Sequence, residues 1–416
     1  MRVVRVVGTV SLGLLMGLGC STLKPGEGEP APDASSTPPS VDDASGVDAG
    51  EPDTAAPSPA DAGADAPDAA RLDAADAADA PDLPGPLEPF VGNLLAGLGV
   101  SASSDHVYWL EQGARAGASS NFDAVFRRRG LTAAPCSPAT DNCGAWLPTA
   151  GRTYFGDAHT GPVSSADITC FSVIYNATRD TELHCLVHGP GTMARVPGVM
   201  FAASVRLAIG NELYFSVPSR AGGPATLKRW NATTPATAPV DVLVRTATDI
   251  TDVVVDGDLT FWTESSGSGA SAMTSVWARQ GVAGTPTQVA PPSAGGARLA
   301  LDASSLYVTH LAAGTILRHP RAPGGAGAGV SIASGQASVG PILRRGAYLL
   351  WLNYGPAPDY TASEVVRANP DGSGALVIDR DETLSDLAAT SDTAYMVTFG
   401  KPPDYIGTVK RVRFTR

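Results

Sequence analysis

Cysteine and histidine are scarce in this 416-residue chain, at five and six, and the short motifs that announce catalysis are missing. There is no G-x-S-x-G nucleophile elbow, no H-E-x-x-H helix, no Walker loop and no C-x-x-C pair, which sets aside the enzyme classes built on them. A basic excess is lacking too. The formal net charge is −12, and the deficit is local: residues 24–88 hold sixteen acidic residues against Lys24 and Arg71, leaving residues 89–416 neutral. A neutral domain with an acidic tail has no net electrostatic footprint for nucleic acid, which demands a basic face, so nucleic acid is not an expected partner. The one long apolar run, Val6 to Leu18, is shorter than the roughly 20 residues that span a bilayer as a helix.

That run follows Arg2 and Arg5, the positive start of an export signal, and leads into Gly17-Leu18-Gly19-Cys20. The ending resembles the lipobox of bacterial lipoproteins, in which a small residue precedes a cysteine that is acylated and becomes the mature N-terminus. It departs from that pattern at Gly17, where the family has Leu; Leu18 stands one place late. The resemblance implies a signal peptide over 1–19, a lipid on Cys20, and the membrane as a partner through that lipid. Ser21 rather than Asp after the cysteine resembles outer-membrane sorting, so the expected location is the cell envelope, lipid-anchored at the outer membrane. A plain cleaved signal with an incidental cysteine is the alternative.

The remaining cysteines, Cys136, Cys143, Cys170 and Cys185, are even in number and suit an oxidising compartment. Four cysteines allow three connectivities; Cys136–Cys143 and Cys170–Cys185 are favoured because each closes a short loop. A zinc site using His184 and His188 around Cys185 is the competing reading, but its spacing fits no standard finger or ribbon, and no metal or other cofactor is expected.

Residues 20–88 follow the signal as an Ala/Asp/Pro-rich segment, with runs such as Asp73-Ala74-Ala75-Asp76-Ala77-Ala78-Asp79. It has too few large apolar groups to offset its chain entropy, which predicts a disordered tether. Its 65 residues from position 24 would reach roughly 200 Å fully extended and average about 45 Å as a coil.

From residue 100 a short pattern recurs: an apolar strand, a tight turn, then an apolar–aromatic tetrad. The tetrads begin at Tyr108, Cys170, Tyr214, Phe261, Tyr307, Leu350 and Tyr395, at intervals of 62, 44, 47, 46, 43 and 45 residues. The long first interval contains Cys136 and Cys143 and reads as an insertion. Before the tetrads stand triplets such as Leu207-Ala208-Ile209, Val253-Val254-Val255 and Leu299-Ala300-Leu301, followed by turns such as Asp256-Gly257-Asp258. Strand, turn, strand is a hairpin signature. After each tetrad an apolar residue precedes an arginine by two places: Val125/Arg127, Met193/Arg195, Leu227/Arg229, Trp277/Arg279, Ile316/Arg318, Val365/Arg367 and Val409/Arg411. Two apart on a strand is one face, so a structural role for these arginines is the plainer expectation. Most units close on a fourth apolar strand, as at Val242 to Val244 and Leu376 to Ile378.

Four short strands per unit of about 45 residues describe a propeller blade. The tetrads resemble the YWTD-type β-propeller repeat, nearest at Phe261-Trp262-Thr263-Glu264. The expected architecture is an all-β propeller of seven four-stranded blades over residues 89–416, preceded by the disordered linker. Unit two is irregular, with Leu183 to Val187 and Thr192 to Val196 competing for its third strand, so six or eight blades also fit. The last unit has three strands, and Phe90-Val91 with Leu94-Leu95 is the segment left to complete it. Residues about 89–99 are therefore expected to pair with the C-terminal strand near Lys410 to Phe414.

The last tetrad position is polar at Glu111, Glu264, His310 and Asn353, which makes these four the candidate axial binding positions; solvated strand ends are the plainer alternative. No catalytic residue can be named. The expected function is an envelope lipoprotein whose propeller binds or scaffolds an unidentified protein, glycan or small molecule. The alternative is a propeller enzyme resembling streptogramin lyases or SMP-30-type lactonases.

Overall fold

The computed structural model describes residues 84–111, 125–137, 145–146, 154–155, 161–175, 181–199, 203–219, 223–245, 248–267, 272–323, 329–356, 362–401 and 404–414. The signal, Cys20, nearly all of the tether and Cys143 lie outside the described residues. All regular structure among the described residues is β-strand, and no helix there is long and apolar enough to cross a membrane.

Blade three has the plainest order: Ser204–Ile209, Glu212–Val217, Ala225–Asn231 and Val240–Arg245 lie side by side in chain sequence. Blade four (Asp249–Asp256, Leu259–Ser266, Met273–Gln280, Thr287–Ala294) and blade five (Ala297–Leu301, Ser305–His310, Thr315–Pro320, Val330–Ala333) repeat it. So does blade six (Val339–Arg345, Tyr348–Asn353, Ser363–Ala368, Leu376–Asp381). Blade one comprises Gly97–Ala102, His106–Glu111, Val125–Gly130 and Ala145–Trp146. Each tetrad sits on its blade's second strand. Where the hairpin before it is shortest, Gly210 and Gly257 take φ of 53° and 57° as first central residue, the place a type II′ turn reserves for glycine.

The tetrads explain the ring. Successive strand residues face opposite sides of a sheet, so the first tetrad residue enters one interblade space and the second enters the other. Seven apolar clusters result, each joining the first residue of one blade to the second residue of the next. Tyr108 packs with Phe171, Cys170 with Phe215, Tyr214 with Trp262, and Phe261 with Val308. Tyr307 packs with Trp351, Leu350 with Met396, and Tyr395 with Trp109. The last pair joins the seventh blade to the first, and the innermost strands likewise touch their neighbours around a closed circle. Seven blades is therefore the count.

Blade seven supplies Leu384–Ala389, Thr393–Thr398 and Ile406–Arg413, and its outer strand is Glu88–Leu95 from the other end of the chain. The register runs from Glu88 opposite Arg411 to Leu95 opposite Ile406, and Gly85 N–H donates to Arg413 O at 2.7 Å. The expected clasp is present with one correction. Residues 97–99 belong to blade one's innermost strand, because Ala96 takes a positive φ of 50° and turns the chain between the two sheets.

Blade two also settles its ambiguity. Val163–Ser164, Ile168–Tyr175 and Thr181–Val187 are its first three strands and Thr192–Arg195 is the outer one, so the Met193/Arg195 pair lies on the fourth strand rather than the third. Tyr154–Phe155 adds a further short pairing onto Ile168–Tyr175. Cys170 and Cys185 stand directly opposite on neighbouring strands and form a disulfide, which excludes Cys185 as a zinc thiolate. Cys136 is also disulfide-bonded.

Candidate functional site at the propeller axis

The four positions singled out in the sequence are all buried, and their bonds go to their own blade or to a neighbouring blade or link. They sit on second strands, whose side chains leave through sheet faces that neighbouring blades cover. Glu111 is buried and ion-paired with Arg127 of its own blade. Glu264 accepts from Trp262 Nε1 at 2.7 Å and Thr248 Oγ1 at 3.0 Å, and pairs with Arg245 at the outer end of blade three. His310 Nδ1 shares a 2.6 Å hydrogen bond with Ser293 Oγ of blade four, and burial holds its pKa below the usual histidine value. Asn353 Nδ2 donates to Gln336 Oε1 at 2.8 Å, which also accepts from Trp351 Nε1. No hydrogen bond or ion pair joins Glu264, His310 and Asn353 to one another. Three of the four thus fasten one blade, or the link leaving it, to the next.

Six of the seven motif arginines are structural as well, Arg127 and Arg229 through Glu111 and Glu212 of their own blades. Arg195 pairs with Glu182 at 2.6 Å and Arg411 with Glu88 at 2.9 Å. Arg279 donates to Val242 O and Arg367 to Phe414 O, each reaching a neighbouring blade at 2.8 Å.

The groups that do face the axis come from the innermost strands. Within each unit the apolar triplet is the inner half of the hairpin, and the residue just before it stands close to the third tetrad residue. In blades three, four, five and seven that residue is charged: Arg206, Asp252, Arg298 and Asp386. Three of these innermost strands carry a bulge there, between Val205 and Leu207, Ile250 and Asp252, and Leu384 and Asp386. A bulge re-aims a side chain that would otherwise enter an interblade core. None of the four is fully buried, and the charge of Arg298 acts on the other three, as expected of groups lining a central space.

The two carboxylates serve the ring in one way. Asp252 Oδ1 accepts Val253 N–H at 3.0 Å and its Oδ2 accepts Leu299 N–H of blade five at 2.9 Å. Asp386 Oδ1 accepts Leu387 N–H at 2.9 Å and its Oδ2 accepts Val100 N–H of blade one at 3.0 Å. Glycines make room for Asp386: a Cβ on Gly161 would come within 2.4 Å of its Oδ2, and one on Gly99 within 2.3 Å of Gly161 itself. Burial raises both carboxyls above the ordinary range, Asp386 to about 6, despite these hydrogen bonds and the Arg298 charge. Tyr354 lies over Gly340, whose Cβ would meet its ring at 2.4 Å, and burial with the Asp386 charge pushes its phenol upward. Arg298 donates to Thr251 O at 3.1 Å, and Arg206 Nε donates to Ser216 Oγ at 2.8 Å.

The axis therefore offers two guanidiniums, two carboxylates and a phenol from blades three to seven. Such a set can bind a polar ligand by charge and hydrogen bonding. Among the described residues no group of three or more His, Cys, Asp or Glu is arranged to hold a metal ion. The sequence carried a signal for this ring, a charge immediately before the apolar triplet, but it lay one residue outside the repeat.

No family model matches the chain, and no curated protein matches it in sequence. Its fold is similar to the β-propeller domain of the Trilobed protease from Pyrococcus furiosus, with a TM-score of 0.50 and 6% identity over 78% of this chain and 97% of that one. A prolyl endopeptidase aligns with a TM-score of 0.48 and 15% identity over 76% of this chain and 47% of that one. Oligogalacturonate lyase in complex with manganese aligns at 0.43 and 12% identity, covering 74% and 80%. The chain spans about half the length of the prolyl endopeptidase it matches. At these identities the likeness concerns fold alone. The Pyrococcus propeller is described as having an open velcro topology, whereas here Glu88–Leu95 closes the ring against Ile406–Arg413. Strand order, seven interblade cores and this likeness make the described part of the chain a seven-bladed β-propeller.

Proposed function

We propose that this chain is an envelope lipoprotein whose propeller is a binding module, taking its ligand at the axis. A lipid on Cys20 would hold it to the outer membrane, and residues 24–83, ahead of the segment that pairs with blade seven, would act as the spacer. The lipobox resemblance and the composition of the tether support the anchoring. One observation carries the binding: Arg206, Asp252, Arg298, Tyr354 and Asp386, drawn from five blades, stand close enough for their charges to act on one another, and none is fully buried. Convergent polar groups in a concave site are the general mark of ligand recognition. The test is hydrogen exchange on the mature protein with and without an envelope extract. Protection is expected at 204–209, 249–256, 297–301 and 384–389; protection confined to outer strands, or none, would refute axial binding.

A second reading, catalysis by the same site, draws on Asp386, whose carboxyl near pKa 6 suits a general acid or base. An activity in the extract that is lost in Asp386→Asn while extract-induced protection persists would favour it over simple binding.

A further inference from the structure

We propose that the axial site takes an oxyanion, a carboxylate or phosphate group of a small ligand, on the guanidinium of Arg206. This rests on the axial-binding reading above and names the ligand's chemistry.

Arg206 differs from six of the seven motif arginines. Those facing Glu111, Glu182, Glu212 and Glu88 are ion-paired, and Arg279 and Arg367 donate to backbone carbonyls. Arg206 uses only Nε, in the bond to Ser216 Oγ that fixes the plane of the group. Its two terminal nitrogens meet no acceptor among the described residues, and neither is sealed from solvent. The nearby carboxylates do not close the fork. Asp252 is held by the Val253 and Leu299 amides, and Asp249 Oδ1 by the amide and hydroxyl of Ser219. A planar pair of N–H donors with its orientation fixed matches two oxygens of one oxyanion, which a lysine ammonium would not do.

Electrostatics point the same way. Burial and the like charge of Arg298 lower the Arg206 pKa to about 10. An oxyanion beside Arg206 offsets the repulsion between the two arginines. Tyr354 supplies a further donor near Arg298 and Asp386, since its hydroxyl meets no acceptor among the described residues.

The experiment is isothermal titration of the mature protein with succinate, its neutral isostere succinamide, and inorganic phosphate. Saturable binding of succinate or phosphate without succinamide is expected, and Arg206→Gln should weaken it by about tenfold to a hundredfold, the range of a hydrogen bond to a charged group. The tighter of succinate and phosphate identifies the source of the oxyanion. The melting curve of Arg206→Gln checks its folding, and a second measurement avoids mutation: phenylglyoxal should modify Arg206 in the wild type, and the bound anion should protect it. Binding of neither anion, binding unmoved by Arg206→Gln, or equal binding of succinamide would overturn the inference. If the extract still protects the innermost strands in that case, only the oxyanion is wrong; if that protection is also missing, axial binding fails with it.

Discussion

Removing the clasp should destabilise the propeller far more than removing everything before it. Glu88–Leu95 places Phe90, Val91 and Leu94 in the core between blades seven and one, each with no exposed surface. Phe90 meets Tyr395 edge-on at 5.6 Å and lies 5.2 Å under the Arg411 guanidinium. Truncating a buried Phe to Ala costs about 3–5 kcal/mol and a buried Leu about 2–5. Losing the whole strand, with its ladder to Ile406–Arg413, should cost at least about 6 kcal/mol, a large part of the 5–15 that domains possess. At about 2 cal/mol/K per residue, each kcal/mol shifts the melting temperature of a domain this size by roughly 1.5 °C.

Three soluble proteins test this by calorimetry: one beginning at Ser21, one at Pro84 and one at Gly97. The first two should melt within about 1 °C of each other, and the third roughly 10 °C lower. Phe90→Ala in the longest should fall by about 5 °C. A synthetic peptide of residues 84–96 should raise the melting point of the shortest in a concentration-dependent way, as a ligand of the native state does. If the proteins beginning at Pro84 and Gly97 melt alike, the strand does not close the ring and the reasoning is refuted.

Four further outcomes are expected. Cys20→Ser should move the protein from the membrane fraction to the soluble one, and an unmodified cysteine in the mature wild type by mass spectrometry would contradict the anchor. Replacing Cys170 and Cys185 by Ala should cost about 3 kcal/mol in urea unfolding, from the loop of 15 residues they close. Lys410 bridges Asp379 at 3.2 Å and Asp381 at 2.7 Å, so Lys410→Met should cost about 3–5 kcal/mol and Asp379→Asn in addition should restore part of it. Asp386, raised from 3.8 to about 6, favours the folded state as pH falls from 7 to 4, because only the unfolded chain has released that proton. The penalty is complete above about 6 and amounts to at most about 3 kcal/mol; Asp386→Asn should therefore gain on the wild type between pH 5 and 8, and a constant difference would count against it.

What could be read in advance followed from periodicity. A tetrad such as Phe261-Trp262-Thr263-Glu264 must send alternate residues to opposite faces, and large apolar groups at both first positions demand two covered faces, hence a blade with neighbours. The clasp followed from counting, since three strands after Leu384 left a sheet edge without a partner. Blade two resisted because Thr181–Val187 is buried along nearly its whole length, polar and apolar residues alike, so alternation gave no phase. The axial site resisted for a different reason. A strand's own pattern says which face is apolar but not how far from the ring's centre the strand lies, and Glu264 or His310, polar at a strand end, looks the same whether it fastens two blades or greets a ligand. What marks the axial residues is a local break in the rule: a charge set at the start of an apolar run on the innermost strand, as Arg206 is inside Val205 to Ile209. Burying a charge there is costly unless something offsets it. In Asp252 and Asp386 the offset is the amide of the next blade, and the ring gains a fastening. Arg206 has one hydroxyl and an open fork, so among the axial charges it is the one that the proposed oxyanion would complete.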